Sequence, residues 1–152
     1  MADDGLRDLY QRVILDHARE RHGHGIRPGS AASAHEVNPT CGDEITLHVY
    51  RDETGSVASI AWEGNGCSIS QASASMLSDL MVDRAPDDVD ARIDTFRALM
   101  QSKGAMDAED DALGDLLEDA VSLAGVSKYV MRIKCAMLPW VALEHARAEL
   151  TP

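Results

Sequence analysis

The sequence predicts an α+β domain, in which a small three-stranded antiparallel sheet packs with about five to six α-helices. Apolar and polar residues alternate between residues 45 and 62, and stripes of helical spacing lie before and after that stretch. The 152 residues, of which 45% are hydrophobic, fit one compact domain over residues 1–152. A chain of this size buries roughly 68–70% of its unfolded surface. It therefore needs no metal merely to form a core, and a bound metal is expected to be functional.

The first half of the chain is expected to hold one helix and the three strands. Residues from about 5 to 20 carry an amphipathic stripe, and a loop rich in Gly, Ser and Ala follows from 22 to 33. Alternation in residues 45–50 and again in 58–62 predicts a hairpin. Residues from about 34 to 38 add an edge strand. The stripe of the first helix comprises Leu6, Leu9, Tyr10, Val13, Ile14 and His17.

The second half is expected to be helical. Apolar residues fall at helical spacing over residues 69–81, 86–100 and 113–121, and a last helix is expected from about 135 to 150. Pro139 is tolerable only in or near the first turn of that last helix. Two helices are therefore expected between the one at residue 69 and the one at residue 135.

Charge and composition exclude several classes of function. The formal net charge is −12, from 26 acidic and 14 basic residues, and a field of this sign repels phosphate backbones, so no nucleic acid partner is expected. No apolar run approaches the ~20 residues that span a bilayer, so no membrane partner is expected. The acidic start, Met1 to Gly5, is unlike a secretory leader, and we expect a cytoplasmic protein.

The three cysteines each lie at the predicted end of an element. Cys41 precedes the first hairpin strand, Cys67 lies between the second strand and a helix, and Cys135 is expected to begin the last helix. Buried structural cysteines normally occupy apolar stripes, so this placement favours metal-binding or reactive thiols. Because the sequence has no C-x-x-C pair, spacing alone leaves three unrelated cysteines as an open alternative.

Local chemistry points towards thiolates and a soft metal. Helix N-termini favour negative charge, which would apply to Cys67 and Cys135, and Asp43 adds a carboxylate two residues after Cys41. Three sulfurs and one oxygen form a four-coordinate set that suits Zn²⁺. Iron or an Fe–S cluster remains chemically allowed.

Three histidines near the start of the chain are interpreted without a metal site. His22 and His24 lie in a Gly-rich loop without a third ligand, so a solvated loop is favoured over a metal site. His17 falls on the apolar stripe of the first helix, which is typical of a hydrogen-bonded core histidine.

Four segments resemble the SufU/IscU (NifU N-terminal type) iron–sulfur cluster assembly family, in family order. They are residues 9–17, 38–43 (Asn-Pro-Thr-Cys-Gly-Asp), 64–73 and 132–135. The chain is more similar to the SufU branch, because Lys134 stands where the scaffold branch has a histidine before the third cysteine. The long interval between Cys67 and Cys135 is also similar to SufU proteins.

The resemblance implies a SufE/NifU-like fold and a zinc-dependent sulfurtransferase with one Zn²⁺ per chain. It implies that Cys41, Asp43, Cys67 and Cys135 hold the metal. Cys41 would accept persulfide sulfur from a PLP-dependent, SufS-like cysteine desulfurase. The sulfur would then pass to the scaffold proteins of Fe–S cluster assembly.

Arg132 and Lys134 are the residues expected to bind the partner. The first alternative is a scaffold on which an Fe–S cluster is assembled. The second is an interaction domain with structural zinc and no sulfur chemistry.

Overall fold

The sheet has three antiparallel strands in the order β1-β2-β3, as expected. The computed structural model describes residues 2–150, with side chains from residue 7 onward, so the expected place of Leu6 on a helical stripe lies outside the described side chains. The β2–β3 register pairs Leu47 with Trp62 and Val49 with Ile60, and these buried residues form one side of the core. The strands are β1 (Ala32–Asn38), β2 (Asp43–Arg51) and β3 (Val57–Asn65).

The helices share one hydrophobic core with this sheet and confirm the α+β prediction. The α-helices are α1 (Ala2–Glu20), α2 (Ser68–Leu80), α3 (Pro86–Gln101), α4 (Asp111–Leu117) and α5 (Val130–Glu149), and a 3₁₀ segment (Glu118–Lys128) lies between the last two. Within residues 2–150, no helix is both long and apolar enough to cross a bilayer.

The helix predicted over residues 113–121 is shorter than expected. Asp110 caps α4 by accepting from the Leu113 N–H at 3.1 Å, but the α-helix ends at Leu117 because Glu118 takes a left-handed φ of 48°. The buried Arg92 guanidinium donates to the Leu116 carbonyl at 2.6 Å, which satisfies a C-terminal carbonyl of α4. The rest of the predicted stripe continues as the 3₁₀ segment.

The last helix begins earlier in the chain than predicted. Helix α5 begins at Val130, so Cys135 lies in its second turn rather than at its N-terminus. The apolar stripe did not reveal this start, because Tyr129, Val130 and Met131 are all exposed. The helix-dipole argument therefore fails for this cysteine.

Pro139 also departs from the prediction, because it lies in the interior of α5. Proline has no N–H, so the Cys135 carbonyl four residues earlier loses its regular helical donor. The adjacent turn is held from outside the helix. The Ser73 hydroxyl of α2 donates to the Ala136 carbonyl at 2.6 Å and accepts from Trp140 Nε1 at 2.9 Å. These two bonds fix the turn of α5 that carries the third cysteine.

Candidate metal centre

The four predicted ligands come from separate parts of the chain that meet at one end of the sheet. Because the start of β2 pairs with the end of β3, Asp43 at the start of β2 lies beside Cys67, which follows β3. Cys41 lies in the turn before β2, and Cys135 reaches the same place from α5.

Two glycines make the close approach possible. Gly42 has a φ of 76°, which few other residues adopt, and its N–H donates to the Asn38 carbonyl at 2.8 Å to close the turn around Cys41. A Cβ atom at Gly66 would lie 3.1 Å from the Asp43 carboxyl group and 2.2 Å from Ser70 Oγ. A side chain at Gly66 would therefore displace the carboxylate.

Asp43 connects two of the thiols. Its Oδ2 atom lies 3.5 Å from Cys41 Sγ and 3.7 Å from Cys67 Sγ, and its Oδ1 accepts from the Cys67 N–H at 3.2 Å. The sulfurs of Cys41 and Cys135 are 3.4 Å apart, far longer than a disulfide bond of about 2.05 Å. All three cysteines are free thiols.

Three of the six donor–donor separations can be compared with the edges of a tetrahedral zinc site. With Zn–S near ~2.3 Å and Zn–O near ~2.1 Å, tetrahedral geometry requires S–S edges of about 3.8 Å and S–O edges of about 3.6 Å. The measured S–O distances of 3.5 and 3.7 Å agree, and the S–S distance of 3.4 Å is slightly short. The donor set therefore fits a thiolate-preferring cation such as Zn²⁺.

Cys67 is the least closely placed of the four. The ligand atoms of Cys41, Asp43 and Cys135 all lie within 4.8 Å of one another, and the Cys67 sulfur falls outside that group. It is linked to the others through Asp43. Coordination of one ion by all four requires the Cys67 side chain to move towards the other three.

The three thiols differ in exposure. Cys41 is exposed, Cys67 is half-buried and Cys135 is buried. Burial raises the pKa of the Cys135 thiol, and the neighbouring Asp43, Cys41 and Cys67 groups raise this pKa further. Without a cation, the thiol form of Cys135 is therefore favoured, because a buried thiolate beside other acidic groups is unfavourable. A divalent cation would reverse this preference, because metals bind thiolates.

Asn38 is a further residue at this site, and its role was not predicted from the sequence. It is buried, its Nδ2 donates to Cys41 Sγ at 2.8 Å, and its Oδ1 accepts from the Thr40 N–H at 3.2 Å. The side chain therefore fixes both the loop and the orientation of the exposed thiol. The Asn-Pro dipeptide, typical of a turn, was the available sign of this role.

The two residues predicted to bind a partner are placed differently. A cleft of about 390 Å³ opens over the thiols, and its wall includes Arg132 and Met131 together with all four predicted ligands. Lys134 is exposed but does not line this cleft. Of these two residues, Arg132 is therefore the one that lies on the wall of the cleft, and partner binding by either residue stays a prediction.

The fold and the cleft define a small α+β protein in which three thiols and one carboxylate line the same opening. Residues 9–136 match the model of the NifU-like N-terminal domain. The chain belongs to that family, which serves iron–sulfur cluster assembly.

Two curated relatives cover almost the whole chain. The iron–sulfur cluster assembly scaffold protein IscU of Streptococcus pyogenes serotype M1 is 41% identical over 146 residues, covering 96% of this chain and 87% of the relative. The zinc-dependent sulfurtransferase SufU of Bacillus subtilis (strain 168) is 39% identical over 145 residues, covering 95% and 92%. The predicted SufU/IscU resemblance is therefore confirmed.

A solved structure supports the fold as well. The SufU protein of the thermophile Fervidobacterium islandicum AW-1, a candidate scaffold for the SUF system, superposes with a TM-score of 0.78. It is 28% identical, and the match covers 89% of this chain and 93% of that one.

Proposed function

We propose that the protein is a zinc-dependent sulfurtransferase. It accepts sulfur on Cys41 from the persulfide of a PLP-dependent cysteine desulfurase and relays that sulfur to iron–sulfur cluster assembly. The observation that carries the proposal is the convergence of three thiols and one buried carboxylate, with Cys41 as the exposed member. The likeness to the B. subtilis sulfurtransferase over 95% of the chain supports it.

Zn²⁺, when bound by Cys41, Asp43, Cys67 and Cys135, would keep the thiols deprotonated at neutral pH. The chain's own residues supply orientation and access. Asn38 directs the Cys41 sulfur through its 2.8 Å hydrogen bond, and the exposed position of Cys41 lets a partner's persulfide approach. The burial of Cys135 leaves it as an anchor rather than an acceptor.

The transfer is a thiol–disulfide type exchange without net oxidation. The Cys41 thiolate attacks the terminal sulfur of the partner's persulfide, and a new S–S bond forms as the partner's S–S bond breaks. The electron pair of the broken bond leaves with the desulfurase cysteine, which takes up the proton that Cys41 has lost. Arg132 lies on the cleft wall, where it can contact the docked partner.

A scaffold function is the second candidate, because the S. pyogenes relative named as a scaffold is 41% identical. The absence of a histidine ligand immediately before Cys135 argues against it, since Lys134 holds that position and its ammonium group is no metal ligand. The cytoplasmic location and the lack of a nucleic acid partner stay predictions from the sequence.

The deciding experiment maps the acceptor directly. The zinc-loaded protein is mixed with a cysteine desulfurase and free cysteine, and the extra sulfur is located by peptide mass spectrometry. We expect a persulfide on Cys41 in the wild type and none on the Cys41→Ser variant.

The Cys67→Ser variant is the matched control, because it alters the same donor set but leaves Cys41 in place. Persulfide accumulating on Cys67 or Cys135 would contradict the assignment of the acceptor. A brown protein that carries labile sulfide and accepts no persulfide would favour the scaffold function.

A further inference from the structure

A second group of metal-ligating side chains lies at the far end of α2 from the cysteines. Cys67 precedes the first turn of this 13-residue helix and Asp79 lies in its last turn, so the helix, about 20 Å long, separates the two sites. Asp79 meets His17 from α1 and His22 from the loop that follows it. One ligand atom from each of these three residues lies within 4.8 Å of the other two.

Each histidine is held in place by its present contacts. His22 Nδ1 lies 2.6 Å from Asp79 Oδ2, and the two imidazole rings have centroids 5.0 Å apart. The buried His17 ring contacts Ser75 Oγ at 2.7 Å through Nδ1 and Asp119 Oδ2 at 2.9 Å through Nε2. The core histidine expected from the sequence is therefore confirmed, but it also belongs to a cluster.

We propose that His17, His22 and Asp79 form a second binding site for a divalent first-row transition cation, for which Zn²⁺ is the natural probe. Two imidazoles and one carboxylate are ordinary protein ligands for such ions, with water completing the set. The proposal does not depend on the sulfurtransferase function, because it applies equally to a scaffold.

The surroundings suit a cation. One ring nitrogen of His17 exchanges its hydrogen bond for the ion, and the other keeps Ser75 or Asp119 as the partner that orients the ring. The carboxylates of Asp119 and Glu20, the latter 3.5 Å from His22 Nε2, add negative charge nearby. The His22 and Asp79 side chains are 38% and 54% exposed, so an ion can enter from solvent.

The geometry also explains why the sequence alone does not predict a site here. The third ligand for the His-Gly-His loop lies 57 residues away in the chain at Asp79, and His17 was assigned to the core. His24, the other histidine of that loop, instead packs against the Trp62 ring at 5.1 Å. It therefore provides a matched control in the same loop.

The test uses the full chain with its cysteine site already filled with Zn²⁺. Titration with further Zn²⁺, followed by calorimetry, should show one additional equivalent bound. His22→Gln and Asp79→Asn should each abolish that equivalent, whereas His24→Gln should retain it. The exposure of His22 and Asp79 makes folded variants expected, and far-ultraviolet circular dichroism checks this.

Co²⁺ distinguishes the two sites by spectroscopy. Binding at His17, His22 and Asp79 should give visible d–d bands without the near-ultraviolet sulfur-to-cobalt charge transfer that the cysteine site produces. The proposal is overturned if the zinc-filled wild type binds no further ion. It is equally overturned if His22→Gln, while folded, binds the additional ion as tightly as the wild type does.

Discussion

Ser73→Ala should destabilise the protein far more than the loss of one oxygen atom suggests. The Ser73 hydroxyl is fully buried, and it both donates to the Ala136 carbonyl and accepts from Trp140 Nε1. Its removal leaves a fully buried indole N–H without an acceptor, which costs about 1–3 kcal/mol. The lost bond to Ala136 adds about 0.5–1.5 kcal/mol. We expect a combined loss of about 2–3 kcal/mol, or roughly 4–12 °C in Tm for a chain of this size.

Ser78→Ala is the matched control in the same helix. Ser78 is also buried, but its hydroxyl only donates to the Ala74 carbonyl one turn earlier, so its removal strands no donor. We expect a change within about 1 kcal/mol. Urea unfolding of the chelator-treated proteins, followed by circular dichroism, measures both variants. If Ser73→Ala were as stable as Ser78→Ala, the link between α2 and α5 would not be the support that we infer.

Three further predictions concern the two sites. Asp43→Ala should lower the zinc affinity by more than the about 10–100-fold that is typical of changes outside the ligand set, as measured by chelator competition. The neighbouring Glu44→Ala should not lower it in this way. Equal zinc affinities of Asp43→Ala and the wild type would show that the carboxylate is not a ligand. In the metal-free protein, iodoacetamide should modify Cys41 before Cys135, because Cys135 is buried and the pKa of its thiol is raised. Peptide mass spectrometry measures the order of modification, and modification of Cys135 first would contradict this prediction. The hydrogen bond with Asp79 raises the pKa of His22 above 6.5. In the presence of a chelator, His22→Gln should therefore lower the free energy of unfolding by its full amount below pH 6.5. This difference from the wild type should shrink as the pH rises through the raised pKa. Unfolding curves that keep a constant gap between wild type and variant across that range would contradict this assignment.

The sheet and most helices were predictable because their patterns are local. Alternation around Leu47 and Trp62 indicated the hairpin, and Pro86 at a first helical position marked the start of α3. The start of α5 was not predictable in this way. Residues 129–131 are apolar yet exposed, so the helical stripe began only where burial begins.

The sequence predicted one site built from Cys41, Asp43, Cys67 and Cys135, and the structure brings the ligand atoms of Cys41, Asp43 and Cys135 within 4.8 Å of one another. These distances could not be predicted. The motif around Cys41 and Asp43 is compact in sequence, whereas Cys135 joins it only because α5 crosses the same end of the fold. Nothing local in the sequence distinguishes a helix-initiating Cys135 from one in a second turn. The His22 cluster was missed for the same physical reason, since its partners come from other elements of the fold.

Zinc K-edge X-ray absorption on protein loaded with one equivalent of Zn²⁺ tests the metal centre most directly. Three sulfurs near ~2.3 Å and one oxygen near ~2.0–2.2 Å are expected, which requires the Cys67 sulfur to join the other ligands. A shell with fewer than three sulfurs, or one dominated by nitrogen and oxygen, would contradict a centre built from Cys41, Asp43, Cys67 and Cys135.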